Sequence, residues 1–172
     1  MLNELLTLDY EVTPLTMAVL SNKEEDGATN TVVLEDRREY TVHTSPTKMI
    51  DKACKFFGSS LKGRLEGTKD ISKITHKAPI AIDPSSGMYF FPTASPTNTK
   101  CSWIAHSHVK DINPKGKTKT EILFKNGKCI TINVSYGSIM NQVQRTAQFR
   151  YSLDTRIKLL KEAIAKKEKG QK

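Results

Sequence analysis

The stretch Cys54–Thr93, CKFFGSSLKGRLEGTKDISKITHKAPIAIDPSSGMYFFPT, sets two helices beside a hairpin and decides how the rest of the chain is read. Ser45-Pro46 ahead of it is a helix start, a capping hydroxyl followed by proline at the first helical position. The helix is expected to run to Phe57, to bury Met49, Ile50, Ala53, Phe56 and Phe57, and to end at Gly58. Ser59 or Ser60 then caps a second, short helix that Gly67 closes. Pro79–Asp83 and Met88–Phe91 form a hairpin around Pro84-Ser85-Ser86-Gly87.

The same stretch is chemically biased. Gly58, Gly63 and Gly67 lie close together with Ser59 and Ser60, and Lys55, Lys62, Arg64, Lys69, Lys73 and Lys77 run against only Glu66, Asp70 and Asp83. Glycines let a backbone approach another surface, and hydroxyls, free amides and cations meet phosphate oxygens. A polyanion-binding surface needs that combination; a globular core does not.

On the N-terminal side, Tyr10–Leu20 alternates loosely as a strand, Asn22–Gly27 is a turn, and Thr29–Glu35 and Arg38–Thr44 are two more strands. On the C-terminal side, Thr93–Lys100 is a polar loop and Cys101–Ile112 is the clearest strand. Alternation sends Cys101, Trp103, Ala105, Ser107 and Val109 toward a core, and Ser102, Ile104, His106, His108 and Lys110 the other way. Asn113–Thr118 is a lysine-bearing loop, and Asn126-Gly127 joins strands Thr120–Phe124 and Cys129–Val134. Ser135–Ser138 opens a helix with Ile139, Val143 and Ala147 inward and Gln142, Arg145 and Arg150 elsewhere. Leu153, Ile157, Leu160 and Ile164 form a stripe on a C-terminal helix, more readily docked on its own domain than paired with a second chain.

The 172 residues suit one domain, with acidic strands in 1–44, a basic core in 45–134 and helices in 135–172. The fold class is α+β: predominantly antiparallel β-sheet with an inserted helix pair and a C-terminal helical segment. No apolar run is long enough to span a bilayer, and the acidic start MLNELLTLDYEV is unlike a signal peptide. Cys54, Cys101 and Cys129 are too scattered for a disulfide framework or structural zinc, which suits reduced thiols in a cytoplasm.

Charge says more. The formal net charge is +9, divided as −5 over residues 1–50, +5 over 51–110 and +9 over 111–172. Such a surplus repels itself unless it meets an anion, and nucleic acid is the commonest one. An anionic membrane lacks the amphipathic helix it would need.

Several motifs fail. A recognition helix needs more turns than Ser60–Glu66 supplies, and Arg64-Leu65 stands where a phosphate-binding loop requires Lys-Ser/Thr. His106 and His108 share a strand face but lack a third ligand nearby, so no metal and no cofactor are expected. They serve better as hydrogen bonders toward a nucleic acid, along with Lys110. An enzyme reading would make them the acid and base of a small nuclease. A further alternative is an RNA-binding or adaptor module without a promoter.

The residues Phe56-Phe57-Gly58-Ser59-Ser60, Gly63-Arg64, Gly67-Thr68, Ile74-Thr75-His76-Lys77, Pro79-Ile80, Asp83-Pro84, Phe91-Pro92-Thr93, and Cys101 ahead of Trp103-Ile104, His106 and His108-Val109 resemble the competence transcription factor ComK family. The likeness continues through Phe124, Asn126-Gly127-Lys128, Ser135-Tyr136, Asn141-Gln142-Val143 and Arg145-Thr146-Ala147, about the middle hundred residues in order.

The resemblance implies a cytoplasmic, nucleoid-associated activator of competence (DNA-uptake) genes, without catalysis. Its implied partners are double-stranded DNA at paired AT-rich promoter boxes, read from the minor groove, further copies of itself as a dimer or pair of dimers, and RNA polymerase. Narrow A-tracts attract Arg and Lys through a deepened negative potential. Arg64 and Lys62 are then the expected groove residues, with Lys55, Lys69, Lys73, Lys77 and the hydroxyls of Ser59 and Ser60 toward the phosphates. Longer members extend past the last helix with a segment gripped by a proteolytic adaptor. Nothing like that segment precedes Gln171-Lys172, so that adaptor is not an expected partner.

Overall fold

The computed structural model describes residues 12–23 and 25–170. In chain order these form β1 (Thr16–Lys23), β2 (Thr29–Glu35), β3 (Glu39–Val42), α1 (Pro46–Phe56), α2 (Leu61–Ser72), β4 (Ile80–Asp83), β5 (Met88–Pro92), β6 (Trp103–Ala105), β7 (Val109–Lys115), β8 (Lys119–Phe124), β9 (Cys129–Ile132) and α3 (Tyr136–Gly170). One sheet has six strands in the order β3-β2-β1-β6-β5-β4, a second has three in the order β7-β8-β9, and every pairing is antiparallel. The α+β expectation is met.

Both faces of the larger sheet are covered. Val19, Ile80, Ile82, Phe90 and Trp103 point into a core shared with Met49, Ile50, Ala53 and Cys54 of α1 and Leu61 of α2. Their neighbours Ala18, Phe91 and Ile104 point into a second core with Ile112, Ile122 and Phe124 of the smaller sheet and Ile139 of α3. Ala81 and Tyr89 meet Phe149 of α3 in a third cluster. Alternation at period two thus feeds opposite cores. Trp103, Tyr89, Phe90 and Phe91 are among the largest fully buried side chains, and each such burial contributes about 1.5–3 kcal/mol.

Local signals hold at many ends. Ser45 Oγ accepts from the Lys48 amide at 3.3 Å and Pro46 stands in the first turn of α1. Phe57 caps its C-terminus, and Gly58 follows with φ +81°. Ser60, of the two candidate caps, serves α2, accepting from the Gly63 amide at 3.0 Å.

Elsewhere the structure departs from the sequence reading. The first strand starts at Thr16, and Tyr10 and Glu11 lie outside the described residues. The turn Asn22–Gly27 is shorter than expected, because β1 continues to Lys23. Helix α2 passes through Gly67 and ends only after Ser72, where Lys73 takes a left-handed φ of 62°. Buried Thr68 donates to the Pro79 carbonyl at 2.7 Å, and Ile71 packs against the Ala81–Tyr89–Phe149 cluster. Those contacts outweigh the roughly 1 kcal/mol helix penalty of a glycine. The length objection to a recognition helix therefore falls, since α2 has 12 residues.

Cys101–Ile112 is not one strand. It breaks at the 3₁₀ turn His106–His108, where the chain leaves the larger sheet and enters the smaller one. Ile104, expected outward, is fully buried because the second sheet covers that side. Asn113–Lys115 belongs to β7, and Pro114 is tolerated because β7 is an edge strand. The C-terminal region is one helix of 35 residues, about 52 Å long at 1.5 Å per residue. Its buried residues are Ile139, Gln142, Thr146 and Phe149; Ala147 is exposed and Gln142 is inside. The expected docking of the C-terminal stripe stops early, for Leu160 and Ile164 are 63% and 50% exposed.

Candidate nucleic-acid interface

Helices α1 and α2 are tied together at the turn between them. Asp51 Oδ1 accepts the Leu61 amide at 2.9 Å and Asp51 Oδ2 pairs with Lys55 Nζ at 3.0 Å. The Leu61 amide, then Lys55, hold the Asp51 carboxyl below its ordinary pKa against the cost of burial. An open groove of about 800 Å³ runs between the helices and the loops that follow α2 and β5. Leu61, Leu65, Ile74, Ala78 and Pro96 supply its apolar surface, and Lys48, Lys62, Lys69, His76 and Lys77 its basic groups. Asp51, already bonded, and Glu66 are the acids on it. None of those four lysines forms an ion pair among the described residues.

The wall that carries Lys77 is braced from α3. Gln142 Nε2 donates to the Lys77 carbonyl at 2.9 Å and the Pro92 carbonyl at 2.7 Å, and its Oε1 accepts from Arg145 Nη1 at 2.8 Å. Arg145 also donates to the His76 carbonyl, and burial lowers its pKa. Lys77 itself has a left-handed φ of 47°, so this loop is held in a conformation that its side chains do not favour. Lys48, His76, Gln142 and Arg145 were not among the sequence-predicted site residues. His76, Gln142 and Arg145 stand in the motif-like runs Ile74-Thr75-His76-Lys77, Asn141-Gln142-Val143 and Arg145-Thr146-Ala147, which carry no directional information, and Lys48 stands in none of them.

Three of the expected contact residues thus share the groove: Lys62, Lys69 and Lys77. Lys73 is exposed just past α2, with Nζ donating to the Asp70 carbonyl at 3.2 Å. Lys55 is engaged by Asp51, and Ser60 is spent on its cap. Ser59 Oγ contacts the Ser60 carbonyl at 3.5 Å. Arg64, expected to enter a DNA groove, turns back toward the sheet: Nη2 donates to the Ile82 carbonyl at 3.2 Å and Nε is buried without a partner. It also lies near the Cys54 thiol, whose pKa burial pushes up to about 11 while the Arg64 charge opposes the rise. Arg64 shares with Thr68, four residues on, the side of α2 that meets β4 and the chain leading into it.

The histidines and Lys110 lie elsewhere, on the α3 side of the larger sheet. His106 and His108 do not share a strand face. His108 Nε2 is bonded to the Pro14 carbonyl at 2.7 Å, whereas His106 and Lys110 border a pocket against α3. The cations after position 50 therefore form separate clusters and not the single patch that their density in the sequence suggests. No group of His, Cys, Asp or Glu that would hold a metal exists among the described residues, and no described helix is long and apolar enough to cross a membrane.

No solved structure matches the chain. Residues 7–158 match the family described as ComK protein. Over 148 residues the chain is 43% identical to a protein of Bacillus subtilis (strain 168) named Competence transcription factor, an alignment that covers 86% of this chain and 77% of that relative. With the motifs of the helix pair, the hairpin and the start of α3 all inside the matched span, the chain belongs to the ComK family.

Proposed function

We propose that this chain is a transcription activator of competence genes that binds double-stranded DNA at AT-rich promoter boxes. Family membership across residues 7–158 carries the reading, together with the name of the Bacillus subtilis relative. The α1–α2 groove supports it physically. Lys48 of α1, Lys62 and Lys69 of α2 and Lys77 of the following loop offer cations to phosphates around the groove, with Lys73 just past α2. Lys62 takes over the minor-groove role first given jointly to it and Arg64, because the Arg64 guanidinium is committed to β4.

The reading includes self-association through the exposed stripe of α3, contact with RNA polymerase, and residence in the cytoplasm at the nucleoid. A catalytic alternative loses its geometry, because the two histidines of a nuclease pair face different partners. A second DNA geometry has an observation behind it. Helix α2 is long enough to lie in a major groove and turns Lys62 and Lys69 outward, though with Glu66 and Asp70 among them, and Lys73 is exposed just past its end.

Anisotropy titrations of AT-rich and GC-rich duplexes over a salt series test the proposal. Preferential, salt-sensitive binding to the AT-rich duplex, lost to a minor-groove competitor and kept after major-groove methylation, is the expected result. Equal affinity for both duplexes and for structured RNA sinks it.

A further inference from the structure

The cations on the α3 side of the larger sheet converge where the chain crosses between the two sheets. A pocket of about 310 Å³ opens there, bordered by His106, Lys110, Asp111, Lys125 and Arg150. Lys110 and Asp111 come from β7, Lys125 from the turn after β8, and Arg150 from α3. Val109, Met140 and Val143 contribute apolar surface.

Arg150 is fixed from behind. Its Nη1 donates to Ser107 Oγ at 2.7 Å, Ser107 Oγ donates to the Gly87 carbonyl at 2.7 Å, and the guanidinium lies 4.9 Å from the centroid of the Tyr89 ring. A Cβ at Gly87 would come within 3.1 Å of Nη2, so the turn before β5 leaves room for this guanidinium. Lys110, Lys125 and Arg150 form no ion pair among the described residues. Asp111, the one carboxylate on the pocket, accepts from the Ile112 amide at 2.9 Å. The Nδ1 of His106 is buried with no hydrogen-bond partner.

Like charges gathered on a small concave surface repel one another, and a bound anion relieves that repulsion. We propose that this pocket binds a single phosphate group, with Arg150 as its oriented fork, Lys110 and Lys125 as point charges, and His106 on the wall beside them as a group whose charge the ligand favours. The group is a free phosphate, as on a small metabolite, or a backbone phosphate of DNA. Without it, burial first, then the charges of Arg150 and Lys125, hold the His106 pKa below its ordinary value, with the Val143 carbonyl acting the other way. A bound dianion reverses the balance, so phosphate binding and His106 protonation reinforce each other.

The test is imidazole NMR of His106 in the full chain, titrated with inorganic phosphate, with chloride at matched ionic strength, and with an AT-rich duplex. A saturable shift with phosphate, accompanied by a rise in the His106 titration midpoint, is expected. Lys125→Gln should weaken that response about five-fold or more, by loss of one charge-assisted contact, while the thermal midpoint stays unchanged. Arg150→Lys, which keeps the charge and loses the fork, should weaken it as well; if that variant unfolds, Lys125→Gln still decides. A response to phosphate assigns a free phosphate group, and a response to duplex alone assigns the DNA backbone. If neither moves His106 beyond the chloride control, or if Lys125→Gln responds like the parent, the site does not exist. DNA binding by the α1–α2 groove is independent of this outcome, because anisotropy reads it separately.

Discussion

The Tyr89 hydroxyl on β5 donates to Asp154 Oδ1 on α3 at 2.7 Å and ties the larger sheet to the helix. The Tyr89 ring is fully buried and meets Phe149 edge-on at 5.8 Å between centroids. Burial, then the Asp154 carboxylate, pushes the Tyr89 pKa upward. Beyond Asp154 along α3, Leu159, Leu160 and Ile164 are exposed.

Tyr89→Phe keeps the ring and deletes only that bond. Stability should fall by roughly 1–2 kcal/mol, because Asp154 is exposed and recovers water as a partner. Urea denaturation measures it, and an unchanged midpoint with unchanged slope would show that this bond contributes nothing to holding α3.

Gln142 is a different case, since its amide serves two carbonyls and accepts from Arg145. Gln142→Ala leaves the Pro92 carbonyl buried and unpaired, at a cost of about 1–3 kcal/mol. The same change should loosen the Lys77 loop. Amide hydrogen exchange at residues 76–78 is expected to rise more than the global loss of stability accounts for.

Arg64 and Lys69 lie close in sequence but separate in role. Arg64→Ala should lower stability by about 1 kcal/mol, the usual worth of one lost hydrogen bond, and leave the AT-over-GC ratio unchanged. Lys69→Ala should leave stability within about 0.5 kcal/mol, as surface changes usually do. It should weaken binding to every duplex and reduce the salt slope by about one. Anisotropy over a salt series, beside urea melts of both variants, distinguishes them. A loss of AT preference in Arg64→Ala at full stability would return that residue to the DNA groove.

His106 gives the fold a pH dependence whose sign follows from burial. Its folded pKa lies below the ordinary 6.5, so between the two values the unfolded chain binds more protons. Its contribution to stability is fully present above 6.5 and is lost as pH falls from there through the folded pKa. Arg150, Lys125 and Lys110 keep their charge across this range and oppose protonation throughout, with Asp111 the only neighbour on the pocket of the opposite sign. In phosphate-free buffer, urea midpoints for the parent should drop between pH 7.5 and pH 5.5 by more than those for His106→Gln. Parallel profiles for the two proteins would remove His106 as the cause.

Read alone, the sequence determined the elements whose cause is local. The Ser45-Pro46 start, a cap at Ser59 or Ser60, the Pro84–Gly87 and Asn126-Gly127 turns and the strand Thr29–Glu35 all depend on residues within a few positions of one another. The motifs that mark the ComK family are likewise properties of order and spacing. Tertiary structure alone decided what long-range partners impose. Thr68 bonded to Pro79 and Ile71 packed under α3 carry α2 past Gly67, and the second sheet buries Ile104 where alternation placed it in solvent. It also sent Arg64 inward and divided the cations between two surfaces. A charge count records how many cations a segment holds, but the direction each one points is set by the elements packed against it.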